Sequence, residues 1–322
     1  MKNLLKLMVL FTIVPALVFT SCKKTADEQN EFLTLKSYMV DNGMDLSNII
    51  TNADGKMFVL GAKEGTELDG KYVIDIRSAA DFATAHVKDA HNVSFTDILT
   101  AAEAAKTAGQ QAVVICYTGQ TACYATALMR LAGYTDTQAL KWGMSGWSDQ
   151  TDKWTASVGD LAKDNANWSY DAAPAVQAYG VPTVITGEET GDAMLLARVK
   201  AVIAEGFQGV SAADVLASPE NYFVNNFFTE ADYTAFGHVK GANRISPLSL
   251  AGSIENLDPA AKICTYCYTG QTSAVVTAYL RVLGYDATSL KFGMNAMYNS
   301  NSAWTSNQWG GDSKSKHFDL VQ

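Results

Sequence analysis

The sequence holds one hexapeptide twice, Cys-Tyr-Thr-Gly-Gln-Thr at Cys116–Thr121 and again at Cys267–Thr272. A cysteine does nucleophilic chemistry as its thiolate, so the groups that stabilise the anion decide whether either copy reacts. The first copy opens at the end of Ala112-Val113-Val114-Ile115, a short unbroken run rich in β-branched residues. That is the pattern of a strand buried on both faces of a mainly parallel sheet. Behind the loop, Tyr124, Leu128 and Leu131 fall at helical spacing, with Gly133 as the expected C-cap. Gly119 is free to take positive φ in the tight turn between them. Loop N–H groups and the unsatisfied N–H groups of the helix start would then converge on a thiolate at Cys116.

More of a known pattern surrounds this loop. Val73-Ile74-Asp75-Ile76-Arg77 reads as an early strand ending in Asp-x-Arg, followed by a helix start at Asp81-Phe82 and a turn at His86-Val87-Lys88-Asp89-Ala90. Downstream come Gly133-Tyr134 and Leu140-Lys141-Trp142-Gly143-Met144 through Trp147. Across residues 70–147, in this order, the chain resembles the rhodanese family of sulfurtransferases, although in the stretch His86–Ala90 two glycine or proline positions of the family's Gly-His-Ile-Pro-Gly-Ala turn differ, as Lys88 and Asp89. The resemblance implies an α/β fold of two tandem rhodanese-like domains, each a mainly parallel central sheet flanked by helices. It also implies a cysteine persulfide intermediate formed from thiosulfate or a similar small sulfur-containing anion and discharged to a thiophilic acceptor such as a thiol, cyanide or a thioredoxin-like protein. Neither a metal nor an organic cofactor is called for. The catalytic cysteines would be Cys116 and Cys267. Tyr117, Thr118, Gly119, Gln120 and Thr121 would cradle the first sulfur, and Tyr268, Thr269, Gly270, Gln271 and Thr272 the second.

The second repeat is less complete. Carried forward by the spacing of the two cysteines, Gly133-Tyr134 falls on Gly284-Tyr285, but Asn226 stands opposite Asp75 and Phe228 opposite Arg77. A planar guanidinium suits an oxyanion, so Arg77 is the expected donor-binding cation unless it bridges to Asp75 or Asp81. Cys116 is accordingly the better-equipped nucleophile and Cys267 a second carrier or a relic, with both loops expected to face one cleft. The loops are short, contain no Lys or Arg, and end in threonine. Related folds that hydrolyse phosphate esters use a roomier loop ending in arginine, so a sulfur atom fits better here than a phosphoryl group. A non-catalytic binding or sulfur-sensing module is the alternative, because fold does not fix function.

The N-terminus reads as a targeting segment. Lys2 and Lys6 precede the apolar stretch Leu7–Phe19, then Thr20-Ser21-Cys22, which resembles a bacterial lipoprotein signal with lipidation at Cys22. The expected organisation is a signal peptide over 1–21, a tether over 22–30, the first domain over 31–171, a linker over 172–189 and the second domain over 190–322. The expected location is the cell envelope, on the periplasmic or outer-surface side, with the membrane reached only through the lipid. A net charge of −9 argues against nucleic acid as a partner. Cys264 reads as a buried strand residue, and Cys123 as packing or a resolving thiol. Four histidines without ligand spacing make no metal site. Arg130 and Arg281 match across the repeats and read as surface or interdomain residues, and Trp142, Trp147 and Trp154 as core.

Overall fold

The computed structural model describes residues 30–322; the expected signal segment and the expected lipidation at Cys22 fall outside them. The first domain begins with α1 (Phe32–Asp41) and α2 (Leu46–Ile50), the latter capped by the Asp45 carboxylate. It continues through β1 (Val59–Leu60), β2 (Tyr72–Asp75), α3 (Ala79–Thr84), β3 (His91–Asn92) and α4 (Ile98–Thr107). β4 (Ala112–Ile115), α5 (Gln120–Leu131), β5 (Gln138–Leu140) and α6 (Gly143–Trp147) complete it. Its five strands run in the order β1-β5-β4-β2-β3, all parallel. All four residues of β4 are buried, as an unbroken apolar run in the centre of a parallel sheet requires.

A short strand β6 (Trp168–Ser169) precedes the second domain, built from α7 (Gly191–Glu205), β7 (Gly209–Val210), α8 (Ala212–Ala217), β8 (Phe223–Asn226), α9 (Glu230–Phe236) and β9 (His238–Val239). β10 (Ile263–Tyr266), α10 (Gln271–Val282), β11 (Ala287–Leu290) and α11 (Met294–Met297) follow. Its sheet is β7-β11-β10-β8, and a parallel bridge from Asn225 to Asn243 stands where β3 lies in the first domain. Both domains are therefore α/β units with a mainly parallel sheet between helices.

Two features join them. The helices that follow the cysteine loops, α5 and α10, pack against each other with almost every side chain buried. Small residues on both, among them Ala122, Ala125, Ala274 and Ala278, are fully buried, which lets the two backbones approach closely. The segments after each core also change partners. β6 pairs antiparallel with β9 of the second domain, Ser169 opposite His238, while Val321 from the C-terminal tail bridges antiparallel to His86 of the first domain. Gly159 and Ala162 donate to the Asn295 and Met297 carbonyls, and Lys316 and Phe318 to those of Gly146 and Trp147. Each repeat thus lends its extension to the other.

Arg130 overturns an expectation. It is 1% exposed, and its guanidinium donates to the carbonyls of Thr137, Ile49, Lys56 and Met57. No carboxylate pairs with it, and burial pulls its pKa down to about 10. Its repeat counterpart Arg281 is instead partly exposed and ion-paired, held by Glu205 and Asp286. Trp142 and Trp154 do pack inside, in a cluster completed by Trp309 of the other repeat.

Candidate active site

Cys116 sits at the carboxyl end of β4, and Cys267 at the carboxyl end of β10. Gly119 at φ +84° and Gly270 at φ +75° turn the chain into α5 and α10. The left-handed region they occupy strains any residue with a Cβ. Around the first sulfur, the Gly119 and Ala122 N–H groups donate to Cys116 Sγ at 3.2 and 3.3 Å. Around the second, the Ser273 N–H donates to Cys267 Sγ at 3.3 Å. The expected convergence of loop donors is present, more fully at Cys116.

A second glycine turn buttresses each loop from behind. Met144 N–H donates to the Cys116 carbonyl at 2.9 Å, and Met294 N–H to that of Cys267 at 3.0 Å. A Cβ on Gly293 would lie 2.1 Å from the Cys267 carbonyl oxygen, and one on Gly143 2.4 Å from that of Cys116. The tyrosines beside the cysteines reach outward to the next helix: Tyr117 donates to Asp81 and Tyr268 to Asp232.

The two loops do not line a common open cleft. They meet through Gln120 and Gln271: Phe292 N–H donates to Gln120 Oε1 at 2.7 Å, and Gln271 Nε2 to the Thr118 carbonyl at 3.3 Å. Each glutamine lies against the other loop's glycine, near where a Cβ would project. Both glutamines are therefore interdomain pins. Thr118 Oγ1 accepts from Gln120 Nε2 and Thr269 Oγ1 accepts from the Gln271 N–H, so these hydroxyls brace the loops. Thr272 remains on the wall of a cavity, while Thr121 is half-buried at the start of α5.

Arg77 is not free to bind a donor. Its Nη2 lies 2.7 Å from Asp75 Oδ2 with both side chains almost wholly buried, its Nε also reaches Asp75, and Nη2 donates to the Ala85 carbonyl at 2.8 Å. The repeat explains itself on this basis. Asn226 and Phe228 replace Asp75 and Arg77 together, removing both charges of a buried pair, and Asn226 Oδ1 still accepts from the 228 N–H as Asp75 Oδ1 does from the 77 N–H. Phe228 stacks on Tyr268 at 4.8 Å where the Arg77 guanidinium lies over Tyr117 at 5.9 Å.

The cavity separates the two cysteines. A space of about 480 Å³ is lined by Cys267, Tyr268 and Thr272, by Asn226–Thr229, by Arg244–Leu248, and by Leu46, Ser47 and Ile50 from α2 of the first domain. Cys116 is not among its walls. Burial pushes the Cys116 thiol up, against the opposing pull of the Ala122, Thr118, Gly119 and Thr121 N–H groups. Desolvation thus outweighs the cradle at the first cysteine. Cys123 is wholly buried and its thiol is pushed well up, first by desolvation and then by Cys116 and Cys267, conditions that hold it protonated. Cys264, buried in β10, is pushed up to about 12 by desolvation. His86 and His238 each place Nδ1 on a backbone carbonyl, of Phe82 and Tyr233, and stack on the same two rings. Among the described residues no cluster could hold a metal ion, and no helix is long and apolar enough to cross a membrane.

Comparison with known proteins matches residues 61–150 and 220–300 to the rhodanese-like domain family. No curated protein matches. Among solved structures, a rhodanese-related protein from Thermoplasma volcanium is 18% identical, covering 36% of this chain and 98% of its own, with a TM-score of 0.26. A thiosulfate sulfurtransferase from Pseudomonas aeruginosa is 15% identical over 86% of this chain, with a TM-score of 0.28, and the match spans 49% of that structure's length. A 3-mercaptopyruvate sulfurtransferase from Leishmania major is 11% identical over 77% of this chain and 74% of its own, with a TM-score of 0.28.

Proposed function

The chain belongs to the rhodanese-like domain family, and from that premise we propose that it moves a sulfane sulfur from an anionic donor to a thiophilic acceptor through a persulfide on Cys267. The observation that carries this is the cavity. Of the two loop cysteines, only Cys267 lines this space of small-molecule size, with a backbone N–H directed at its sulfur. This reverses the ranking drawn from Arg77, whose guanidinium is committed to Asp75.

Thiolate attack at the donor's outer sulfur breaks that sulfur's bond to the rest of the donor, which leaves with the electron pair, as sulfite from thiosulfate, and the N–H groups at the start of α10 stabilise the persulfide anion that remains. The acceptor thiolate then attacks that outer sulfur and restores Cys267. The Cys116 loop, whose cysteine is not among the walls of that cavity, serves as scaffold and pins the second loop through Gln120.

The test is the intact mass of the full chain after brief exposure to thiosulfate, for wild type, Cys116→Ala and Cys267→Ser. The expected result is a thiol-reversible gain of one sulfur that survives Cys116→Ala and disappears with Cys267→Ser. Loss with Cys116→Ala alone would return the chemistry to the first loop. Absence of any gain with thiosulfate or an organic sulfane donor would make the protein a binding or sulfur-sensing module.

A further inference from the structure

The lining of the Cys267 cavity carries one charge, on Arg244. In the repeat, Arg244 stands where the first domain has Asn92, since both follow the histidine turn by the same number of residues. Asn92 Nδ2 donates to the Arg77 carbonyl at 3.0 Å, and Arg244 Nε to the matching Phe228 carbonyl at 3.3 Å. The anchoring contact of the asparagine is therefore kept by one nitrogen of a longer side chain. What the exchange adds is the rest of a guanidinium at the cavity wall. Among the described residues its one carboxylate partner is Glu230 at 4.0 Å, 88% exposed, a pairing that solvent screens. The second repeat, having lost the buried cation at 228, has gained an available one at 244.

Much of the remaining wall is apolar, from Leu46 and Ile50 of α2 and from Phe227, Phe228, Ile245, Pro247 and Leu248, beside uncharged polar residues such as Ser47, Asn226 and Thr229. Part of this wall thus comes from α2 of the first domain. It is held in place by Asp45, whose carboxylate accepts from the Leu46 and Leu250 N–H groups at 2.6 and 3.0 Å. A purely inorganic anion would leave these surfaces without a partner.

We propose that Arg244 is the donor-binding cation of the Cys267 cavity and that, with the wall lent by α2, it selects an anionic sulfane donor bearing an apolar group, the chemical class of an organic thiosulfonate, R–SO2–S⁻. The proposal rests on the reading of Cys267 as the sulfur-transferring residue. The Cys267 thiolate attacks the terminal sulfur of the donor, and a new S–S bond forms. The bond between that sulfur and the sulfonyl sulfur breaks, and the sulfinate R–SO2⁻ leaves with the electron pair. Two negative charges enter and two remain, one on the persulfide and one on the sulfinate, so no outside oxidant is consumed. Two anions must meet inside a chain of net charge −9, and a guanidinium at the wall offsets that repulsion.

Alkylation tests the cation without requiring sulfur transfer. Cys267 in the full chain is labelled with anionic iodoacetate and neutral iodoacetamide, in wild type, Arg244→Gln and Arg244→Lys. The expected result for Arg244→Gln is a loss of roughly 10-fold in the iodoacetate rate with little change in the iodoacetamide rate, the size of one charge-assisted contact, and partial recovery with lysine. Equal effects on both reagents would overturn the role of Arg244. Persulfide formation from benzenethiosulfonate and from thiosulfate then tests the wall. Wild type should favour the aromatic donor in kcat/KM, and Ile50→Asn should shrink that ratio by about 10-fold; an unchanged ratio would overturn the selection. If neither donor loads sulfur while the iodoacetate bias still depends on Arg244, the anion site stands and the sulfur-transfer reading falls.

Discussion

The pair Asp75–Arg77 distinguishes a structural guanidinium from a donor-binding one by stability alone. Asp75 is 0% and Arg77 5% exposed, and their closest contact is 2.7 Å. Removing one partner leaves the other charge buried and uncompensated, a loss of about 3–5 kcal/mol. Both Arg77→Phe and Asp75→Asn should therefore be strongly destabilised. The double variant copies the Asn226–Phe228 arrangement of the second domain, in which Asn226 Oδ1 accepts the 228 N–H at 2.8 Å and Nδ2 donates to Tyr266. Ile115 occupies the place of Tyr266 in the first repeat, so the new amide lacks that partner and costs about 1–3 kcal/mol. The double variant should thus be milder than either single one, with a coupling energy of at least ~3 kcal/mol. Urea unfolding of all four proteins closes the cycle. Additive losses, or an Arg77→Phe protein of wild-type stability whose KM for thiosulfate has risen, would refute the assignment of Arg77 to the fold.

Gly293→Ala should disable sulfur loading while leaving secondary structure intact, because its Cβ would meet only backbone, at 2.1 Å from the Cys267 oxygen and 2.9 Å from the Gly270 nitrogen. Displacing the loop by even ~1 Å is expected to slow persulfide formation about 100-fold, read by mass spectrometry beside circular dichroism; the matching Gly143→Ala should lower Tm more than it lowers loading. Acid should weaken the fold through His238, whose pKa burial lowers from 6.5, opposed by its hydrogen bond to the Tyr233 carbonyl. The unfolded chain takes up that proton first, so this stabilisation is present above pH ~6.5 and lost as pH falls, by at most about 1.4 kcal/mol per pH unit. Urea unfolding between pH 5 and 8 should show a shallower slope for His238→Gln than for wild type.

The parts of the site built from neighbouring residues were legible in the sequence. The run Ala112–Ile115, the glycine three residues past the cysteine and the helical spacing behind it suffice to place a sulfur at a strand end among N–H groups, because each depends on local backbone chemistry. For Arg77 the sequence leaves donor binding and a bridge to Asp75 or Asp81 both open, because spacing alone cannot tell whether a guanidinium folds back on the carboxylate two residues before it or reaches outward; the concerted loss of both in the second repeat was the available signal. Arg130 was misread because its partners are carbonyls, which leave no trace in side-chain identity. The cavity was invisible for another reason. It needs residues near 46–50, 226–229, 244–248 and 267 at one place, and the repeat gives no hint that α2 crosses onto α10.

The exchanged extensions bear on how this molecule comes apart. Residues 159–169 complete the second domain and residues 316–321 the first, so neither half is whole without a strap encoded beyond its own core. Cutting the chain within 172–189 would not release two independent modules, because each would retain the other's strap. Melting should accordingly pass through a single shared transition, with loss of the last few residues felt at His86, more than two hundred positions away along the chain.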